Sequence, residues 1–226
     1  MLGLILSLAL ETPAPARTEA PADDRVARRT RFADAAVFDI VGGGSRPRTW
    51  AGHVYGGYPW LGARGQVGVG PRALAVGVDV EAARLRRFRP ALLVAMRWVD
   101  RPRVRLSGEL LLGWLVQTGE LARRGPNVEL RLRLAVPTGR AAPYLMLGTS
   151  HTLLTDRTTV VTAAGDTRDL AFRHEWMPRA TIGVAVAITK QVGLDLGIDL
   201  AWYDAPSRTP SIPGFHVGIA FGGGPR

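Results

Sequence analysis

His53, His151, His174 and His216 are the only imidazoles in the chain, and it contains no cysteine. Thiolate zinc sites, disulfide frameworks and cysteine nucleophiles are therefore excluded together. No two histidines stand at a metal-ligand spacing, so no metal partner is expected. One acid–base pairing is open. If segment 155–178 is a hairpin turning near residues 164–166, His174 falls opposite Asp156 and beside Glu175, within reach of proton transfer. The competing account of that stretch is a solvated charged hairpin. No Gly-x-Ser-x-Gly, Walker A or His-Glu-x-x-His motif argues against that plainer account. Gly42-Gly43-Gly44 and Gly222-Gly223-Gly224 read as punctuation and not as phosphate cradles. The expectation is a non-enzyme with no catalytic residue and no cofactor.

A second set of reactive groups recurs with a different rhythm. Arg64, Asp79, Glu81, Arg97, Arg105, Glu109, Glu129, Arg131, Arg133, Asp195 and Asp199 sit at alternate positions inside otherwise apolar runs. Acids and bases among them are close to balanced, so they suit mutual ion pairing in a confined space.

The elements that must carry these residues alternate with period two in runs of roughly ten. Leu74, Val76, Val78 and Val80 oppose Ala73, Ala75, Gly77, Asp79 and Glu81. Val128, Leu130, Leu132, Leu134 and Val136 oppose Glu129, Arg131, Arg133 and Ala135. Val192, Leu194, Leu196, Ile198, Leu200 and Trp202 oppose Gly193, Asp195, Gly197, Asp199 and Ala201. Runs 180–188 and 215–221 repeat the pattern, and Phe88, Leu92, Val94, Met96 and Trp98 share one face, as do Val104, Leu106, Leu110, Leu112 and Trp114.

Composition narrows the solvent. The 226 residues are 46% hydrophobic and 21% charged, enough for one core or one membrane band. With 27 glycines and 16 prolines a helical bundle is excluded, and no window of eighteen apolar residues offers a transmembrane helix. The net charge of +10 would ordinarily suggest nucleic acid. Lys190 is the only lysine among 29 basic residues, however, and the arginines are spread along the chain. No nucleic-acid partner is expected.

Alternation alone also suits a soluble sheet with one wet face. Here the large aliphatics share a face with no charged neighbour, while the opposite face mixes Gly, Ala and Thr with Asp, Glu and Arg. The first face suits lipid and the second a narrow lumen. Aromatics near the run ends, Trp60, Trp98, Trp114, Tyr144, Trp202 and Phe221, suit the girdles at the two lipid–water boundaries. Connections alternate in length: 70–72, 100–102, 137–140 and 190–191 are tight, whereas 118–126, 155–178 and 204–212 are long.

On these runs, turns and aromatics, residues 50–222 resemble the small bacterial outer-membrane β-barrels, the porin-like family. The final run Phe215-His216-Val217-Gly218-Ile219-Ala220-Phe221 is similar to the aromatic strand that the barrel-assembly machinery recognises, although the chain continues to Arg226. The resemblance implies an all-β, antiparallel, up-and-down transmembrane β-barrel of about ten strands, with eight as second choice. It implies residence in the bacterial outer membrane after export through the periplasm, with outer-membrane lipids and the assembly machinery as partners. The role implied is structural or surface-interacting, with a lumen plugged by ion pairs. The alternatives are a narrow passive channel and an outer-leaflet lipid-modifying enzyme or protease. His151 lies in Thr149-Ser150-His151-Thr152, without the serine two residues later that barrel deacylases carry.

Boundaries follow. Residues 1–16, with an apolar run at 2–10 and Ala14-Pro15-Ala16, read as a signal peptide. Residues 17–48 read as a flexible segment, 49–222 as the barrel and 223–226 as a tail. The tenth strand is expected at 49–56, with 33–41 as the alternative.

Overall fold

The period-two runs become strands of one closed sheet. The computed structural model describes residues 32, 35–70, 74–118, 122–162, 165–202 and 212–224, the backbone alone for 156–170 and 212. The expected signal peptide at 1–16 lies outside the described residues. A short helix α1 (Ala36–Val41) precedes β1 (Trp50–Tyr58), β2 (Trp60–Val69), β3 (Leu74–Ala83), β4 (Arg87–Arg101) and β5 (Val104–Gln117). β6 (Arg123–Ala135), β7 (Ala141–Thr162), β8 (Gly165–Ala187), β9 (Val192–Ala201) and β10 (Ile212–Gly223) complete the chain. Consecutive strands pair antiparallel, and β1 closes on β10 from Trp50↔Gly223 to Tyr58↔Phe215. Ten strands therefore form an up-and-down barrel without a free edge, the topology the alternation predicted.

Burial is inverted relative to a water-soluble barrel. Leu92, Ile182 and Ile198 on the outside are 65%, 64% and 60% exposed, and Val, Leu and Ile on every strand join them in a continuous belt. Inward positions carry alanine, glycine and charge. An apolar belt of this extent is far larger than a soluble monomer tolerates, whereas a transmembrane barrel requires it. On β4 the outward residues run from Phe88 to Trp98. At roughly 3.4 Å per residue and a tilt near 40–45° that run is about 25 Å tall, the height of the hydrocarbon layer. No helix among the described residues is long and apolar enough to cross a membrane; the strands do the crossing.

The β7–β8 hairpin leaves the barrel. β6 last pairs with β7 at Arg124↔Thr155, while β7 and β8 remain paired to Thr162↔Gly165. The ribbon thus projects about 20 Å beyond its neighbour.

The amino-terminal stretch differs from expectation. Residues 35–45, part of the stretch assigned to a flexible segment, are instead buried in the barrel, and 36–41 form a helix and not the alternative tenth strand. Ala-Val-Phe-Asp-Ile-Val is apolar all round except for Asp39, and such a helix is stable only when enclosed. Val37, Phe38, Ile40 and Val41 pack against inward Ala51, Ala135, Ala142, Ala185, Ala187 and Ala220, small residues that leave a helix-sized space. The Ala36 N–H donates to the Lys190 carbonyl in the β8–β9 turn at 2.9 Å, so the barrel wall satisfies the helix start.

Candidate functional site: the barrel lumen

Strand parity aims the charged residues inward. All eleven named from the sequence, Arg64, Asp79, Glu81, Arg97, Arg105, Glu109, Glu129, Arg131, Arg133, Asp195 and Asp199, are buried inside the barrel. Arg89 and Arg179 join them, as does Asp39 from α1. They assemble into three groups along the lumen.

At the end holding the tight turns and the entry to β1, Asp39 accepts hydrogen bonds from Arg97 Nη2 at 2.9 Å and Arg105 Nη1 at 3.3 Å. Arg97 also donates to the carbonyls of Gly43 and Gly44 at 3.1 and 2.6 Å, and Gln66 Nε2 donates to Ser45 Oγ at 2.8 Å. Gly43 has φ +60, and a Cβ there would lie 2.1 Å from Ser107 Oγ. Only glycine fits so close to the wall.

Above α1 lies a band of cross-lumen ion pairs. Arg64 on β2 binds both oxygens of Glu109 on β5 at 2.9 and 2.6 Å, and Arg133 approaches the same carboxylate at 2.9 Å. Arg179 on β8 reaches Glu81 on β3 at 2.9 Å. Arg89 joins Asp79 at 3.0 Å and also pairs with Glu129, which takes Arg131 at 2.6 Å. Arg64–Glu109, Arg179–Glu81 and Arg89–Glu129 join non-adjacent strands and so span the bore, whereas Arg133–Glu109 and Arg89–Asp79 tie neighbouring strands and Arg131–Glu129 lies within β6. Near the far mouth Arg87 on β4 pairs with Glu175 on β8.

The third group occupies the β1, β7, β9 and β10 wall. His216 Nδ1 lies 2.7 Å from Asp199 Oδ2, and Tyr144 Oη donates to Asp195 Oδ1 at 2.9 Å. His53 Nε2 and His216 Nε2 each stand 3.3 Å from Asp195 Oδ2. Bare backbone makes room for the rings: a Cβ on Gly197 would lie 2.4 Å from His216 Cε1, and one on Gly218 2.3 Å from His53 Nε2. Between this wall and the ionic band remains a cavity of about 50 Å³, room for a few water molecules.

Two girdle expectations are corrected. Trp60 is 4% exposed and Tyr144 5%. Both stand at the parity of inward residues, Trp60 with Arg64 and Tyr144 with Met146. Trp60 lies under the Arg179 guanidinium, 4.5 Å from its ring centre. Trp98, Trp114, Trp202 and Phe221 face outward, as do Trp50, Phe88 and Trp176.

Arg89, Arg179, His53 and His216 also face the lumen, beyond the residues expected there. The signal was parity itself: Arg89 alternates with outward Phe88, and His216 with Phe215 and Val217. Asp39 carried no such signal, because no period-two run surrounds it. The proposed pairing of His174 with Asp156 does not form, since the register sets Asp156 against Ala171 and His174 against Leu153. The ribbon pairs Thr162 with Gly165, a register different from one centred on residues 164–166, and this shifts every partner along it.

No protein-family model matches the chain, and no characterised relative matches it by sequence. Its structure is similar to the amino-terminal β-barrel domain of Pseudomonas aeruginosa OprF, at 11% identity and a TM-score of 0.39, covering 80% of this chain and 99% of that one. It is similar to Ail, the attachment invasion locus protein of Yersinia pestis, at 8% identity and 0.41, covering 79% and 99%. Neisserial surface protein A matches at 13% identity and 0.37, covering 76% and 94%.

Proposed function

We propose that this barrel is a bacterial outer-membrane protein with a structural or surface-interaction role, that it is not an enzyme, and that its lumen is closed. The observation that carries the closed lumen is the arrangement of two obstacles in series. α1 is buried inside the bore against the alanine wall, and the Arg64–Glu109 and Arg179–Glu81 pairs cross the lumen between non-adjacent strands. An ion entering would have to displace buried, mutually neutralising charges, each of which is costly to separate. The start of β1, the end of β10 and the tight turns belong at the periplasmic end and the projecting β7–β8 ribbon at the cell surface, as in outer-membrane barrels generally. That ribbon is the element best placed to meet a partner outside the cell. Outer-membrane lipids cover the belt, and β10, with Phe215 and Phe221 on its outer face, is the strand offered to the barrel-assembly machinery.

Planar-bilayer recording tests this reading against a narrow passive channel. The full barrel inserts without stepwise conductance at either polarity if the lumen is closed. Reproducible unitary steps would establish the channel and end the closed-lumen reading.

A further inference from the structure

The outer face of the β7–β8 ribbon holds a cluster that the lumen does not explain. His151 is paired in register with Trp176, and His174 stands one outward step further along β8, opposite Leu153. The hairpin register therefore brings together two histidines that lie 23 residues apart in sequence, which is why residue spacing suggested no metal. His151 Nδ1 and His174 Nε2 are 3.2 Å apart, with nearly parallel rings at 17°. Both side chains are exposed, on the outward face at the level of the Trp176 ring.

Their hydrogen bonds admit the protonation pattern that a pair of metal ligands needs. Trp176 Nε1 donates to Thr149 Oγ1 at 2.6 Å, and His151 Nε2 lies 3.2 Å from the same oxygen. A hydroxyl oxygen has two lone pairs, so it can accept both N–H groups together. Holding the proton on His151 Nε2 leaves the Nδ1 lone pair facing His174. With His174 Nε2 protonated the two rings share an N–H···N hydrogen bond; with it unprotonated, two lone pairs face one another and can take a cation between them. An outer hydrogen bond that sets the tautomer of an imidazole in this way is the usual companion of a metal-ligating histidine.

We propose that His151 Nδ1 and His174 Nε2 form a two-histidine site for a divalent first-row transition ion, Cu²⁺, Ni²⁺ or Zn²⁺, at the lipid–water boundary. With metal–nitrogen bonds of about 2.0–2.1 Å, the 3.2 Å separation corresponds to an N–metal–N angle of about 100–106°, close to tetrahedral. Imidazole nitrogen selects these ions, whereas Mg²⁺ and Ca²⁺ demand oxygen. The remaining positions face water, which completes the shell. Thr149 is a positioning residue, acting through His151.

The test is Cu²⁺ titration of the full barrel in detergent micelles, followed by electron paramagnetic resonance, with Zn²⁺ calorimetry alongside. One equivalent with two-nitrogen hyperfine structure is expected, unaffected by excess Mg²⁺. His151→Ala and His174→Ala each weaken binding by about tenfold or more, since even outer hydrogen-bond partners cost that much. Thr149→Val keeps both ligands yet weakens binding less and changes the Cu²⁺ spectrum. His151→Gln and His174→Gln repeat the ligand loss with less change of shape, and folding of every variant is read from unheated gel migration. Equal binding by wild type and the folded double variant would overturn the site. So would binding that survives in His174→Ala and disappears in the folded lumenal variant His53→Ala.

Discussion

Arg97 on β4 donates to Asp39 on α1 at 2.9 Å, which ties a wall strand to the helix inside the barrel. The same guanidinium lies 3.1 Å from Asp100, and Arg105 binds both carboxylates at 3.3 Å. Asp39 is thus the only charge α1 brings into the lumen, and it meets two wall arginines.

Replacing Asp39 by alanine should loosen the helix without unfolding the barrel. Arg97 keeps Asp100 and the Gly43 and Gly44 carbonyls, so the stability loss should be about 1–3 kcal/mol. Planar-bilayer recording should then detect intermittent openings absent from the wild type. A silent Asp39→Ala barrel would mean that the ionic band alone closes the bore.

Glu109 neutralises Arg64 and Arg133 together. Glu109→Ala leaves two buried guanidinium groups without that partner, and removal of one side of a buried pair costs about 3–5 kcal/mol. Equilibrium urea unfolding in lipid vesicles should show a loss of that order. Glu109→Gln, which retains hydrogen-bond acceptance but no charge, should fall between.

Gly197 is a spatial requirement of the histidine wall. Valine there would drive its branched carbons into the His216 ring and break the 2.7 Å contact with Asp199. Overpacking of this kind costs about 1–3 kcal/mol. The His216 imidazole resonances should shift by nuclear magnetic resonance, while those of His151 and His174 should not.

Leu92 is near the middle of the outward run on β4. Leu92→Arg should destabilise the barrel by about 2–4 kcal/mol in a bilayer, the cost of a guanidinium at mid-depth on the lipid face. The same substitution at exposed Leu85 in the β3–β4 turn should cost much less.

Strand number, order and most strand limits were legible because a side-chain period of two survives in sequence wherever one face is uniformly apolar. Ala-Val-Gly-Val-Asp-Val-Glu at 75–81 shows both faces at once. The same rule identified the lumenal charges, and applying it to Trp60 and Tyr144 would have turned them inward; aromatic character at a run end was the weaker signal. α1 was not legible. Six residues are too few to show a helical period, and Ala36–Val41 is helical because the wall of alanines and Arg97 receive it, not through local propensity. The His151 and His174 pair depended on the hairpin register, which a displacement of the turn by a residue or two rewrites.

The central feature of this protein is a barrel lying in a bilayer with its aliphatic face against lipid. Membrane fractionation of cells expressing the full chain, followed by electrophoresis with and without heating, measures this. Recovery in the outer-membrane fraction, with a folded band whose migration changes on boiling, is the expected result. Recovery in the soluble fraction with the same migration before and after heating would mean that the aliphatic belt does not face lipid.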